Sequence, residues 1–378
     1  MAGRIASYTE VVTDSRTDST LDALGFDADD DPSAGDPSGP GGTPPESPGR
    51  HGRGRRGRRI LTVLLVAVLL VVAGVVGFAG YLGVTVDRNV TQQALLPGPQ
   101  DNPTTAPDGS TIPTKGVGTN FLVIGTDGRS KTDRGRSDVI VIVHVPADPT
   151  AIQMIHFPRD LYVSIPGHGK NKINAAYAFG GEPLLVRTLQ DLLGIRIDHV
   201  ARTDFGGFKA MTDAVGGVRV YAEEANNASG NGGTVVKKGW NDFDGAEALG
   251  FVRERYELSE GDISRGRRQL AFIKALLLKA TSAETLRNPL TVARFTDAAT
   301  TNLVVDQNLG VSQMKDYALA LKGIRGNDVV FATAPFTGFT MDPVAGSIDV
   351  VDPAKMALLG KALRTDTMDT YLDVFQTP

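Results

Sequence analysis

The segments Asn120-Phe-Leu-Val-Ile-Gly-Thr-Asp-Gly-Arg129, Arg136-Ser-Asp-Val-Ile-Val-Ile-Val-His-Val145 and Ala151-Ile-Gln-Met-Ile-His-Phe-Pro-Arg-Asp160 decide how this chain folds. Each contains a short apolar or β-branched run of the kind that forms a buried strand. The first run is stopped by Gly125, the second by the turn residues Pro146-Ala-Asp-Pro149 and the third by Pro158. Short connections favour antiparallel neighbours, so the second strand runs against the first and the third against the second. The C-terminal ends of strands one and three then share a sheet edge with the N-terminal end of strand two. The residues at those ends are Asp127 and Arg129, Arg136 and Asp138, and Arg159 and Asp160, so six charged side chains from three segments are expected to meet in one place.

Downstream the pattern alternates helix and strand. Residues 172–179 and 183–193 read as two helices, the second with Leu185, Leu189, Leu192 and Leu193 at helical spacing. A strand is predicted over 199–203, a helix over 205–215 and a strand over 218–221 after the Gly216-Gly217 break. Asp244 is placed to cap a helix running to about Val252, and Ser264 or Asp262 to cap the next, over 265–280. A strand near 329–332 and a helix from Pro353 to about Leu363 close the chain.

Upstream the composition changes character twice. Acidic residues dominate the first 49 positions with only Arg4 and Arg16 opposing them, and residues 32–49 hold six Pro and five Gly. Such a stretch buries too little apolar surface to offset its ordering entropy. Arg50, Arg53, Arg55, Arg56, Arg58 and Arg59 then form a basic block directly before a 25-residue uncharged apolar run, 60–84. At about 1.5 Å per residue that run exceeds a hydrocarbon core of roughly 30 Å. Arginines on one flank place the N-terminus in the cytoplasm and everything after Val84 outside. The run is also longer than the roughly 7–15 apolar residues of a cleaved signal peptide. The expected organisation is a disordered cytoplasmic tail over 1–59, a transmembrane helix over 60–84, a proline-rich extracytoplasmic linker over 85–118 and one domain over 119–370. The expected fold class is α/β: a single extracytoplasmic α/β/α domain around a central mixed sheet.

Charge and composition exclude several functions. With 39 Lys+Arg against 43 Asp+Glu the formal net charge is -4, which argues against a nucleic-acid binder. With 0 Cys there is no disulfide framework, thiolate zinc site or cysteine nucleophile. Gly167-His-Gly-Lys-Asn171 only hints at a phosphate loop and lacks its hydroxyl. His144 and His156 fall within strand patterns and read as core residues, and Trp240 reads as a packing residue. Asn89-Val-Thr91 fits the glycosylation acceptor pattern, which is common by chance.

A second charged cluster lies at Arg253-Glu-Arg255-Tyr256, Gly261-Asp262, Arg265, Arg267, Arg268 and Gln269. On a helix Arg265, Arg268 and Gln269 share a face at i, i+3 and i+4, continued by Phe272, beside an apolar stripe of Leu270, Ile273 and Leu277. Arginines in a first helical turn oppose the macrodipole unless an anion binds there. The guanidinium fork suits phosphate because it is planar, bidentate and always charged. Asp127 and Asp138 are of the type that holds a hard divalent cation against phosphate oxygens. The alternative is a set of ordinary surface ion pairs, each contributing little.

In combination these blocks resemble the LytR–CpsA–Psr family of membrane-anchored phosphotransferases. The resemblance rests on 120–129, Arg136-Ser-Asp138, Phe157-Pro-Arg-Asp160, Lys172-Ile-Asn-Ala-Ala-Tyr177, Asp213-Ala-Val-Gly-Gly217, 245–256, Gly261-Asp-Ile-Ser-Arg265 and Arg268-Gln269. It implies transfer of a glycan polymer or precursor from a polyprenyl pyrophosphate carrier to peptidoglycan through a phosphodiester, with polyprenyl phosphate leaving. It further implies that Arg159, Arg253, Arg255, Arg265 and Asp262 act in catalysis. Arg129, Arg136, Lys172, Arg268 and Gln269 would hold the pyrophosphate, and Asp127 and Asp138 would bind Mg2+ or Mn2+. The lipid tail would need an apolar tunnel. His156 departs from the family's usual small or aliphatic residue, and the loop 130–135 is unusually charged. A pyrophosphatase using water, or a non-catalytic lipid-binding or regulatory protein, remain alternatives.

Overall fold

A computed structural model of the chain describes residues 53–114, 116–126, 137–230, 233–325 and 328–375, with side chains of the first helix described for Leu70 and from Val72 onward. The acidic tail expected over 1–59 lies outside the described residues as far as residue 52, and Asp127, Arg129 and Arg136 lie outside them too. Two compact units divide between Leu64 and Leu65, and of the first only the helical backbone from Arg53 is described.

Helix α1 (Arg53–Asn89) leads into β1 (Thr91–Gln93), then β2 (Thr119–Thr126), β3 (Ser137–Val145), β4 (Ile152–His156), β5 (Leu161–Ile165) and β6 (Gly169–Lys172). Next come α2 (Ile173–Leu193), β7 (His199–Asp204), α3 (Phe205–Ala214), β8 (Val218–Ala222), β9 (Gly239–Phe243), α4 (Gly245–Arg253) and α5 (Asp262–Ala280). The chain continues through α6 (Ala283–Leu286), α7 (Pro289–Thr301), β10 (Val304–Asp306), α8 (Val311–Ala320), β11 (Val329–Thr333), β12 (Phe336–Asp342), β13 (Gly346–Val351), α9 (Pro353–Thr365) and α10 (Met368–Phe375).

The main sheet has the order β1-β10-β7-β2-β3-β4-β11 and is mixed. β2 pairs antiparallel with β3, and β3 antiparallel with β4, as expected from the sequence, while β2–β7 and β4–β11 are parallel. Alternation along each strand sorts its side chains onto two faces. Leu122, Ile124, Ile140, Ile142 and Ile155 pack on one face against Tyr177, Leu185 and Leu189 of α2 and Leu359 and Leu363 of α9. Val123, Val139, Val141, Val143 and Met154 lie on the other, with Ile273 and Leu277 of α5. A separate core joins Val218 and Val220 of β8 to Phe243 of β9, Phe251 of α4 and Phe272 of α5. The α/β sandwich around a mixed sheet is the expected architecture, and it leaves one sheet face only partly covered.

The two helices predicted over 172–179 and 183–193 are the two halves of α2, divided at Gly181, whose φ of 67° and ψ of -155° are non-helical and would be resisted by a side chain, so that expectation stands. Several other local expectations need correction. Neither Ser264 nor Asp262 caps α5; Gly261 occupies the N-cap and Asp262 is the first helical residue. Ser264 donates its hydroxyl to Glu224 instead, and Asp262 turns its carboxylate toward arginines. A four-stranded sheet, β12-β13-β5-β6, was not anticipated, and Gly167-His168-Gly169 is simply the turn joining β5 to β6. The linker expected over 85–118 is packed onto the domain: β1 pairs with β10, and Leu95, Ala106 and Ile112 are buried. Trp240 is not packed away; it is 61% exposed and meets Tyr221 edge-on. The side-chain amide of Asn89 is engaged by Asp297 and Thr300 of α7.

Among the described residues no helix is long and apolar enough to cross a membrane. The side chains described for α1 begin partway along the apolar run, and of these Leu70, Val72, Val75, Val76 and Val84 are exposed.

Candidate active site

Because α5 stands off the second face of the main sheet, a cavity of about 620 Å3 opens between them. One stripe of α5 lines it from end to end: Arg265, Gln269, Phe272, Ile273, Leu276, Leu277 and Ala280. These recur at the three- and four-residue spacing of one helical face. The sheet contributes Val123, Val139, Val141 and Met154. Toward the C-terminal end of α5 the lining is aliphatic and aromatic; toward its N-terminal end it is charged, with Asp138, Arg159, Arg253, Arg255 and Arg265.

The charged end is a chain of alternating signs. Arg159 Nη1 donates to Asp138 Oδ1 at 3.0 Å, and its Nε lies 3.3 Å from Asp262 Oδ1 and 3.8 Å from Asp160 Oδ2. Arg265 Nη2 reaches the same Asp262 oxygen at 2.7 Å, and Lys172 Nζ meets Asp160 Oδ1 at 3.0 Å. Proximity here is not matched by alignment: Arg159 Nε, Arg265 Nε, Asp262 Oδ1 and Gln269 Oε1 are buried without a hydrogen-bond partner. Burial pushes the Asp262 carboxyl up against the pull of Arg265 and Arg159, and burial pushes Arg265 down despite Asp262. Both members of that pair are thus held toward their neutral forms, as expected of charges that lack full compensation. Burial also acts against Arg159, but Asp262, Asp160 and Asp138 together hold it above its usual value. Four arginines, Arg159, Arg253, Arg255 and Arg265, gathered at one end of a cavity are a site for an anion with several oxygens.

The remaining arginines come from the end of α4. Asp244 accepts from the N–H groups of Ala246 and Glu247, and Glu247 returns a bond to the Asp244 N–H, a complete capping box. Arg253 is the last residue of α4, its guanidinium 5.0 Å from the centroid of Phe205. Arg255 lies over Tyr256 and donates to its hydroxyl at 2.6 Å. Between them the buried Glu254 accepts from the N–H groups of Arg255, Tyr256 and Glu257, which fixes the turn that presents both arginines.

Of the residues singled out in the sequence, Asp138, Arg159, Arg253, Arg255, Arg265 and Gln269 line the cavity, Asp262 braces two of the arginines, and Lys172 joins through Asp160. Arg268 is not brought there. It donates to Asn226 Oδ1 and the Glu224 carbonyl and lies over Phe251, pinning α5 to the β8 side. Asp127, Arg129 and Arg136 lie outside the described residues. Asp160 lies where the strand edge predicts it, beside Arg159 and Lys172. Two residues were missed. Glu254 sits between two arginines, so it was legible as part of their turn. Asp349 was not: it arrives from β13 through its N–H to the Asp160 carbonyl. Burial, then Asp160 and Asp262, push its carboxyl up to about 6. His156 is buried beneath Gly266, where an added Cβ would come within 2.6 Å of its ring, and burial with Arg265 nearby pushes it down to about 4.

Asp138 faces the cavity with one oxygen on Arg159. Among the described residues no three His or acidic side chains converge as a metal cage. A hard cation here would rest on one or two carboxylates, with substrate phosphate oxygens and water completing its shell, a pattern Mg2+ accepts. The donor set fits such an ion.

The frame and the cavity define an α/β protein whose cavity carries arginines at one end and aliphatic and aromatic side chains at the other. The model of the LytR_cpsA_psr family matches residues 92–359, and the chain belongs to that family. The probable cell wall biosynthesis protein LcpB of Corynebacterium glutamicum is 36% identical over 265 residues, 66% of this chain and 61% of that protein. The polyisoprenyl-teichoic acid–peptidoglycan teichoic acid transferase TagT of Bacillus subtilis is 34% identical over 176 residues, 44% of this chain and 54% of that protein. Among solved structures, TagV of B. subtilis superposes with a TM-score of 0.56 at 25% identity, covering 69% of this chain and 99% of that one. TagT bound to LI-WTA gives 0.53 at 27% identity, covering 66% and 91%. The chain spans about half to three fifths of the length of the curated relatives it matches.

Proposed function

We propose that the protein is a phosphotransferase that moves a glycan polymer or precursor from a polyprenyl pyrophosphate carrier onto peptidoglycan. The observation that carries this reading is a cavity lined by four arginines at one end and by aliphatic and aromatic side chains at the other. The diphosphate lies among Arg159, Arg253, Arg255 and Arg265, with Gln269 beside it, and the polyprenyl tail lies along Phe272, Ile273, Leu276, Leu277 and Ala280. An acceptor hydroxyl oxygen forms a bond to the glycan-side phosphorus. The bond from that phosphorus to the bridging oxygen breaks, polyprenyl phosphate leaves, and the hydroxyl proton is released. Fixed positive charge at the developing phosphate oxygens stabilises the transition state without reorganising at the moment of reaction. Asp262 holds Arg159 and Arg265 in register, and Asp160 holds Lys172 toward the same end. Mg2+ on Asp138, with Asp127 as second carboxylate, supplies neutralisation of diphosphate charge when bound.

The apolar run 60–84 on α1 anchors the chain as a single pass with the catalytic domain outside, supported by its unbroken lack of charge and its one-sided arginine flank. The TagT and LcpB names, which concern teichoic acid transfer and cell wall biosynthesis, agree with this class of chemistry. The test is incubation of the full chain in proteoliposomes with a polyprenyl pyrophosphate-linked glycan, with and without peptidoglycan. Glycan joined to peptidoglycan through phosphate is the expected result. Release of phosphorylated glycan at a rate indifferent to peptidoglycan would mean hydrolysis, and no cleavage in either arm would mean a binding protein.

A further inference from the structure

The apolar end of the cavity reaches the surface among α6 and α7, where Leu286, Val292 and Phe295 line it and Leu286 is also exposed. Around this end large aliphatic side chains stand in solvent: Leu278 at 42% exposure, Leu286 at 60% and Leu290 at 57%. They are held close together, because Lys279 Nζ bonds Glu284 Oε2 at 2.8 Å, Thr285 Oγ1 donates to the Lys279 carbonyl at 2.7 Å, and Asn288 caps α7. The outer face of α7 continues the surface through Leu290, Arg294, Asp297 and Thr301, all exposed and spaced by three or four residues. At its far end that face meets the last residue of α1, whose Asn89 amide donates to Asp297 Oδ1 at 2.9 Å and to Thr300 Oγ1 at 3.1 Å. Helix α7 therefore bridges the cavity mouth and the point where the apolar helix arrives.

The geometry points to a bilayer-contacting surface made of α6 and the outer face of α7. On this inference, which rests on the anchor and polyprenyl readings above, the surface lies at head-group level and the lipid tail passes from the bilayer into the cavity mouth without crossing water. Three observations select a lipid surface as the occupant. The apolar helix ends on α7, so this face is drawn toward whatever that helix enters. The leucines are continuous with an apolar cavity that opens beside them. Exposed Arg287 and Arg294 flank them, the pairing of aliphatic and basic side chains typical of interfacial helices at anionic membranes. The charged end of the cavity then stands off the surface by most of the length of α5, about 28 Å for its 19 residues, which places it toward a wall-borne acceptor.

The chain has 0 Cys, so single cysteines can report position. The full chain carrying Leu290→Cys or Val235→Cys is labelled with a fluorophore and reconstituted into phosphatidylcholine–phosphatidylglycerol vesicles bearing nitroxide lipids. Val235 is exposed and neighbours Val236, which pairs with Asn226, the residue held by Arg268 toward the opposite end of α5. Quenching several-fold stronger at position 290 than at 235 is expected; equal quenching, or none at 290 in protein that remains membrane-integrated, overturns the inference. A second variant, Leu278→Glu with Leu290→Glu, touches neither the charged cluster nor the cavity lining. It is expected to slow turnover of a long-chain substrate in vesicles several-fold while sparing a water-soluble short-chain analogue. Equal loss on both substrates, or no loss on either, contradicts the proposal. Absence of turnover by the unaltered chain would instead count against the phosphotransferase reading, leaving the quenching result to decide the surface.

Discussion

Arg159 and Arg255 both line the charged end of the cavity, but their surroundings differ, and so should the consequences of removing them. Arg159 is the shared partner of Asp138, Asp160 and Asp262, so Arg159→Ala leaves three mostly buried carboxylates facing one another. Loss of transfer should be accompanied by a loss of about 2–4 kcal/mol of stability, read by denaturant unfolding. Arg255 touches Tyr256, so Arg255→Ala should abolish transfer with stability changed by no more than about 0.5 kcal/mol. Wild-type transfer in either variant would contradict the assignment. His156 provides a pH signature. Its folded value of about 4 lies below the ordinary imidazole value of about 6.5, so the fold favours the neutral ring. Its contribution is present above about pH 6.5 and is lost as pH falls toward 4, by up to about 3 kcal/mol, and His156→Gln should flatten that part of the stability profile. At this scale part of the site was legible, because Asp138 at the start of the second recognisable strand and Arg159 with Asp160 after the third had to converge. Arg268 misled for a geometric reason. A step of three residues rotates a helical position about 60° one way and a step of four about 40° the other, so Gln269 reached the cavity and Arg268 its opposite flank.

Helix α4 is set by its capping box, and its last turn delivers Arg253 and Arg255 to the cavity. Asp244→Ala removes the acceptor for two N–H groups and should cost about 1 kcal/mol. The effect on turnover should exceed what that loss alone implies, because the arginine-bearing turn follows directly; a lower melting temperature with unchanged turnover would show that the turn is held by Glu254 alone. The cap was readable from Asp244 and Glu247 three positions later. The second sheet was not. Strand β6 is the polar tetrapeptide Gly169–Lys172, and β5 begins one residue after Asp160 with no breaker between site and strand. The two pair with each other as a hairpin, and only the arrival of β13 from far along the chain, with β12 beyond it, extends them into a sheet, a tertiary fact with no local pattern. The stretch after α1 failed differently. Its prolines mark irregular backbone correctly, but isolated anchors such as Leu95 and Ile112 dock an irregular chain without any periodicity to announce it.

At the scale of the whole molecule, the chain couples three environments: an apolar helix, an apolar cavity and a charged end. The apolar run and its arginine flank were evident from sequence, and so was the α/β class. The tunnel was not, because it arises from the spacing between α5 and the sheet rather than from any contiguous run. Metal dependence belongs at this scale too, since the cation would join a carboxylate of the protein to its substrate. Chelation should abolish transfer and Mg2+ should restore it, whereas activity surviving thorough chelation would remove Asp127 and Asp138 from the mechanism. The most direct test of the central claim is a structure of the protein with a polyprenyl pyrophosphate. The diphosphate is expected within hydrogen-bonding reach of Arg159 and Arg265, with the tail against Phe272, Leu276 and Ala280. A diphosphate seated elsewhere, or a tail lying outside the space between α5 and the sheet, would contradict it.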